Sequence, residues 1–151
     1  MSTMKRFLMV LILLCAAVIA EAAEKDDIAV IVNSKFPSES LSMDDVREIY
    51  RSKLQFISGT RMKPVDQKDD QEIRSVFLDE VMHWSKTDYT KYWMHLVFLE
   101  GAIPPVKRDD SLAVIRTVGE TEGGIGYVWA RDIPGSSGVK TVLTLHRSKG
   151  K

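Results

Sequence analysis

The stretch at residues 64–81, PVDQKDDQEIRSVFLDEV, constrains the fold more than any other part of the sequence. It reads as a short strand, a tight polar turn and the first turns of an amphipathic helix. Ile73, Val76 and Phe77 recur at helical spacing and predict the buried side of that helix. A strand that passes directly into a helix aims the backbone N–H groups of the turn and the positive helix end at one point. We therefore treat this turn as a candidate anion site.

Strands and helices alternate along the rest of the chain. Three apolar runs rich in β-branched residues predict strands at residues 28–32, 125–129 and 139–145. A further strand at residues 62–66 is interrupted by Lys63 and Pro64, so we expect it at an edge of the sheet or as a short segment. The alternation predicts an α/β fold, a three-layer α-β-α sandwich with a mostly parallel or mixed sheet of about four strands and about four helices.

Capping residues mark the starts of two predicted helices. Ser42 and Asp45 have the spacing of a capping box, with Asp in place of the usual Glu or Gln. Asp69 and Glu72 offer a second capping box at the start of the helix after the polar turn.

One predicted helix carries an aromatic and apolar stripe at the spacing i, i+3, i+4, i+7 and i+8. Such a stripe either packs in the core or forms a stacking platform for sugars or bases, and without a basic groove we favour core packing. The stripe consists of Tyr89, Tyr92, Trp93, Leu96 and Val97.

Composition excludes several classes of function. The 151 residues suit one compact domain, and the 21 basic and 21 acidic residues balance, so we expect no nucleic-acid partner. His83, His95 and His146 lack metal-ligand spacing, and no nucleotide-binding loop, hydrolase elbow or zinc-protease helix is present. We expect a protein that is not an enzyme and that uses no metal or cofactor.

The N-terminus resembles a secretory signal peptide. Lys5 and Arg6 precede an apolar run at residues 7–20, and small residues follow at the two positions that a signal peptidase reads. We expect residues 1–22 to be removed and residues 23–151 to form one domain in a bacterial periplasm, with no stable membrane insertion. The alternatives are an uncleaved anchor, for which the run is short, and lipid attachment at Cys15, which the flanking residues disfavour.

Four segments occur in an order that is similar to one known family. They are SMDDVREIYRSK, KPVDQKDDQEIRSVFLDEV, KYWMHLVFLEG and EGGIGYV, and the similarity covers roughly residues 41–128. They resemble the phosphate-binding periplasmic proteins of ABC transporters, which have the type II periplasmic-binding fold. Members of that family have two lobes that close on phosphate, whereas about 129 residues are enough for one lobe. The resemblance therefore implies a single-lobe relative.

The resemblance also implies the positions of a ligand site. The family motif Ser-Gly-Thr, often followed by Arg, falls on residues 71–74, where Arg74 matches, and an upstream family arginine falls near Gln67 or Lys68, of which Lys68 could replace it in part. The implied ligand-binding residues are Lys68, Gln71 and Arg74, with phosphate or another small oxyanion as ligand. The simpler interpretation is an ordinary capped helix in which Arg74 pairs with Asp70 or Asp79.

Two functions follow from these interpretations. The first is an exported, single-lobe solute-binding-type protein that senses or delivers a small oxyanion. The second is a periplasmic interaction module that keeps the fold, has lost the ligand site, and docks to a periplasmic partner or to a second copy of itself.

Overall fold

The computed structural model describes residues 26–147. The predicted signal peptide at residues 1–22, including Cys15, lies outside the described residues. The regular elements in chain order are β1 (Ile28–Asn33), α1 (Met43–Tyr50), β2 (Phe56–Ile57), β3 (Thr60–Arg61), β4 (Lys63–Gln67), α2 (Glu72–Phe77), α3 (Lys86–Glu100), β5 (Val106–Arg108), α4 (Ser111–Glu120), β6 (Gly124–Trp129) and β7 (Val139–Leu145). A π-helical turn, Leu78–Met82, continues α2. Within this described range, no helix combines the length and the apolar character that a bilayer span requires.

Five strands form one mixed sheet in the order β5-β4-β6-β1-β7. β4 is parallel to both β5 and β6, and β1 is antiparallel to both β6 and β7. Four strands therefore share one direction and β1 opposes them. The short strands β2 and β3 form a separate hairpin. The predicted α/β class with a mixed sheet is confirmed.

Both faces of β1 are covered. Its alternate residues enter two different cores, with Ile28, Val30 and Val32 in one. Ala29 and Ile31 enter the other. The first core also contains the buried side chains of α1, α2 and α3, and the second contains those of α4. Helices on both faces of the sheet make the three predicted layers.

The position of β4 corrects one prediction, because this strand lies inside the sheet and not at its edge. The N–H of Lys63 donates to the carbonyl of Gly123 on the β6 side at 2.8 Å. The nitrogen of Pro64 must therefore point to the opposite side, towards β5. Pairing with β5 begins one residue later, at Val65. Pro64 has no N–H to donate, and at this residue no neighbouring strand is in position to accept one.

One of the two predicted capping boxes is present. The Ser42 hydroxyl accepts from the Asp45 N–H, and the Asp45 carboxylate accepts from the Ser42 N–H, both at 3.0 Å. The second prediction was wrong, because α2 begins after Gln71, whose side chain makes no capping bond. The carboxylate of Asp69 binds cationic side chains instead.

The aromatic stripe of α3 is core on one side of the helix. Tyr89, Trp93 and Leu96 are buried, as the core interpretation predicted. Val97 is exposed, and Met94 and Phe98 lie near it on the outer side of the same helix, also exposed. α3 therefore carries apolar side chains on both its inner and its outer side.

Candidate functional site

The candidate site lies where β4 and β5 end. These parallel strands pair Asp66 with Lys107 and Gln67 with Arg108, so both chains leave the same edge of the sheet. In mixed and parallel sheets, ligands bind beyond this carboxyl edge. The N–H of Lys68 donates to the carbonyl of Arg108 at 3.0 Å, which ties the turn after β4 to the end of β5.

A buried ion pair forms the base of the site. Nε of Arg74 donates to Oδ2 of Asp66 at 3.2 Å, and the two side chains are 2% and 3% exposed. The Tyr127 hydroxyl and the Gln67 N–H donate to the other oxygen, Oδ1 of Asp66. Asp66 is the one carboxylate of β4 and comes just before the strand ends. The strand therefore places a buried negative charge next to the Arg74 guanidinium.

The pKa values of Arg74 and Tyr127 are both raised, which keeps the guanidinium charged and the phenol neutral. Burial alone would lower the pKa of Arg74, but the charge of Asp66, with smaller contributions from Tyr127 and Asp69, raises that pKa overall. Burial raises the pKa of the Tyr127 hydroxyl well above its ordinary value, and the charge of Asp66 adds to the effect. Tyr127 therefore remains a hydrogen-bond donor, and Arg74 remains a cation.

An exposed carboxylate covers the outer side of Arg74. Oδ1 of Asp69 lies 3.3 Å from Nη1 of Arg74 and 2.7 Å from Nζ of Lys107. The hydrogen bond from Lys107 lowers the pKa of Asp69, and the charge of Arg74 acts in the same direction. Nζ of Lys86 also approaches this residue, at 2.6 Å from its carbonyl oxygen. Two cations thus converge on one oxygen of a carboxylate whose side chain is 68% exposed.

The three predicted ligand residues lie along one turn of chain. The Gln71 N–H donates to the Lys68 carbonyl, and the Arg74 N–H donates to the Gln71 carbonyl, each at 3.1 Å. Nζ of Lys68 pairs with Oδ1 of Asp109 at 2.7 Å, and this hydrogen bond raises the pKa of Lys68. The side chain of Gln71 is partly exposed and makes no capping bond. Arg74 differs from these two because its guanidinium is buried beneath the turn.

Several residues of the site escaped the sequence analysis. Arg74 pairs with Asp66 and Asp69, so the expected pairing with Asp70 or Asp79 was wrong. Lys107 was missed because β5 is a three-residue strand with no apolar alternation, which gives no strand signal. An available signal was the cluster of carboxylates on both sides of the turn, since a buried arginine requires a nearby counter-charge.

The described residues at this turn place two cationic side chains around one carboxylate oxygen. Arg74 and Lys107 supply N–H donors to one oxygen atom, in the way that proteins hold carboxylate and phosphate. Asp66 offsets the charge of Arg74, so the positive charge available to a ligand comes mainly from the lysines. Within residues 26–147, no group of three or more His, Cys, Asp or Glu side chains is placed to hold a metal ion.

Solved structures with a similar fold include two proteins of phosphate transport. One is assigned as a phosphate ABC transporter substrate-binding protein from Clostridium perfringens and contains bound phosphate. It matches with a TM-score of 0.62 and 20% identity over 78% of this chain and 44% of its own length. The other is an ABC-type phosphate transport receptor from Vibrio cholerae, with a TM-score of 0.61 and 16% identity over 78% of this chain and 45% of its own.

At these identities the comparison establishes the fold. No protein-family model matches the chain, and no curated protein sequence matches it. The chain spans less than half of the length of either structural neighbour. The resemblance found in the sequence is therefore confirmed for the architecture: this chain has the fold of one lobe of the substrate-binding proteins of phosphate ABC transporters.

Proposed function

We propose that this protein is an exported, single-lobe solute-binding-type protein that binds a small oxyanion at the turn after β4. Lys68, Gln71 and Arg74 are the proposed ligand residues, and Lys107 joins them. The proposal places the domain in the periplasm after removal of residues 1–22, and no catalytic step belongs to it. Phosphate is the first ligand to test, because both structural neighbours are named for phosphate transport.

One observation carries the proposal. The oxygen Oδ1 of Asp69 occupies a position between Arg74 and Lys107, at 3.3 Å and 2.7 Å from their nitrogen atoms. A carboxylate presents the same kind of acceptor oxygen as phosphate or sulfate, so Asp69 stands in for an oxyanion. Its side chain is largely exposed and its pair with Lys107 lies at the surface, where exposed ion pairs contribute little. A free anion can therefore compete for this position by displacing Asp69.

Calorimetric titration of residues 23–151 with phosphate and with sulfate tests the proposal. The variant Asp69→Asn removes the competing charge and should tighten anion binding by about fivefold to tenfold at low ionic strength. Lys107→Gln should weaken binding by a similar factor. The matched control is Asp44→Asn, which removes another exposed carboxylate from an arginine, here on α1, and should leave anion affinity unchanged.

The result that contradicts the proposal is equally specific. If the wild-type domain and Asp69→Asn are both folded and neither takes up phosphate or sulfate at millimolar concentration, then the turn is not an anion site. Equal gains in affinity from Asp69→Asn and Asp44→Asn would show a general charge effect and would also reject the assigned residues.

A second candidate function is the interaction module, and the outer side of α3 favours it. Phe98 and Leu99 are 80% and 70% exposed, and Met94 is half-exposed on the same helix. Exposed apolar side chains that cluster in this way commonly mark protein contacts. Sedimentation analysis and capture of partners from periplasmic extract would test this function, with Phe98→Glu as the variant. A domain that stays monomeric and captures nothing that depends on Phe98 rules it out.

A further inference from the structure

A second concave surface lies at the opposite end of β4 from the candidate anion site. This groove has a volume of about 1020 Å³ and runs between the C-terminal half of α3, the segment at residues 101–106, the start of β4 and the end of α1. Lys63, at its wall, and Lys68, at the anion site, are five residues apart on an extended strand, which is roughly 16 Å. The part of the groove beside Lys63 is therefore separate from the anion site, whereas Arg108 lines the groove and its carbonyl oxygen also accepts from the Lys68 N–H at 3.0 Å.

The groove has an apolar floor and apolar walls. Met62, Val65 and Leu96 line it from the buried core. Ile103 and Val106 line it from its open side and are 84% and 48% exposed. The volume is at the upper end of the range of about 300–1,000 Å³ that is usual for small-molecule sites.

The charges around the groove are strongly one-sided. Five cationic residues line it, and among its described lining residues Glu100 is the single acidic one. The cationic residues are Arg51, Lys53, Arg61, Lys63 and Arg108. Because the chain as a whole has zero formal net charge, this excess of positive charge is a local feature.

Most of these cations lack a carboxylate partner. In the described part of the chain, ion pairs account for Arg51, which binds Glu48, but not for the other four. Arg108 uses its guanidinium on the Thr117 hydroxyl and the Lys107 carbonyl. The guanidinium groups of Arg51 and Arg61 also lie over aromatic rings, those of Trp84 and Phe56. The groove wall therefore carries cationic charge that few carboxylates in the described part of the chain neutralise.

We infer that this groove binds an anionic amphiphile, a small molecule with an apolar body and one acidic group. The apolar body lies on the floor between Leu96 and Ile103. The acidic group lies near Arg61, which is the last residue of β3, and Lys63, which is the first residue of β4. Charge complementarity identifies this occupant, because four of the five cations have no carboxylate partner in the described part of the chain and a neutral apolar ligand would bring no counter-charge.

Two fluorescent probes of nearly equal shape test the inference on residues 23–151. Anilinonaphthalene sulfonate carries an aromatic body and one sulfonate, and phenylnaphthylamine has the same body without the charge. We expect saturable binding of one sulfonate probe per chain, with an affinity at least about tenfold higher than that of the neutral probe at low salt. Phosphate at millimolar concentration should not displace the probe, which separates this groove from the anion site.

Variants locate the binding. The double variant Arg61→Glu/Lys63→Glu should weaken the sulfonate probe by about tenfold or more and leave the neutral probe unchanged. Ile103→Asn should weaken both probes because it removes apolar wall. Arg116→Glu is the matched control, since Arg116 is exposed, lies outside the groove lining and has no carboxylate partner among the described residues.

Each alternative result overturns the inference. Failure of the sulfonate probe to bind the folded wild-type domain rejects the site. Equal binding of the two probes, or binding that survives the double charge reversal, rejects the role of the cations. Binding of many probes per chain without saturation shows adsorption to exposed apolar surface such as the outer side of α3. Circular dichroism of each variant confirms that it remains folded.

Discussion

The buried ion pair between Asp66 and Arg74 gives the sharpest test of how this fold is stabilised. Asp66→Asn keeps the shape of the side chain and an acceptor for the Tyr127 hydroxyl, but it removes the charge 3.2 Å from the buried guanidinium. The remaining counter-charge, Asp69, lies at the surface and is well solvated. Breaking a buried pair by removing one partner typically destabilises a protein by about 3–5 kcal/mol. For a domain of this size that corresponds to a fall in Tm of about 10–20 °C.

Urea denaturation of residues 23–151 measures this effect, and a double-mutant cycle assigns it. Asp66→Asn and Arg74→Met should each lower the free energy of unfolding by about 3–5 kcal/mol. The double variant should lose much less than the sum of the two, because it leaves no unpaired buried charge, whereas each single variant leaves one. Asp69→Asn, which removes the exposed carboxylate from the same arginine, should change stability by less than about 1 kcal/mol. Additive losses, or a loss below about 1 kcal/mol for Asp66→Asn, would refute the reasoning.

Three further predictions concern backbone strain, capping and pH. Gly123→Ala should lower the free energy of unfolding by more than about 2 kcal/mol, because a Cβ at this positive φ would lie 1.9 Å from the Arg61 carbonyl oxygen. Gly59→Ala is the control, since Gly59 also has a positive φ but lies in open space. It should lose about 1 kcal/mol in the same denaturation assay. Ser85→Ala should lower stability by about 1 kcal/mol, because the Ser85 hydroxyl caps α3, and a smaller loss would contradict that role. The pKa of Asp69 is lowered, so its contribution to folding stability is present above the ordinary carboxyl pKa and is lost as the pH falls through the lowered value. The stability difference between wild type and Asp69→Asn should therefore shrink below about pH 4. A difference that stays constant with pH would show that the Asp69 pair does not titrate.

The central strand β1 and the edge strand β7 were predictable because the residues that specify them are adjacent in the sequence. Residues 28–32 form an unbroken run of apolar residues, and β1 is in fact buried on both faces. β7 has the predicted bounds, Val139–Leu145. A strand that is apolar on both faces must lie in a sheet that is covered on both sides. The helices predicted between the strands can cover it, so the α/β class follows from the sequence pattern.

The order of strands was not predictable from local pattern. Pro64 suggested an edge strand, but its missing N–H matters on one side of β4, and that side is unpaired at this residue. Which side a proline nitrogen faces depends on the register with the neighbouring strands. β5 was missed because three residues, VKR, carry no periodicity and are held in the sheet by pairing with β4.

The partners of Arg74 depend on contacts between distant parts of the chain. Asp66 is eight residues earlier, across a strand-to-helix turn, and its other oxygen is held by Tyr127, which is 61 residues away. The sequence located Arg74 at the turn, but its depth is set by the packing of α2 on the sheet. The charge of an arginine that matches an anion-binding motif can therefore be neutralised by carboxylates that the fold brings next to it.

The two carboxylates on Arg74 have different consequences for any ligand. Asp66 cannot be displaced, because its side chain is buried and its oxygens accept from Arg74, Tyr127 and the Gln67 N–H. Asp69 can be displaced, because it is exposed and solvent can replace its contacts. The positive charge that an oxyanion meets at this turn thus comes mainly from Lys107, because Asp66 offsets Arg74 and Asp109 pairs with Lys68. Because exposed lysine charges are screened by salt, anion binding at this site should weaken steeply with ionic strength, whereas a site built on a free buried arginine would resist it.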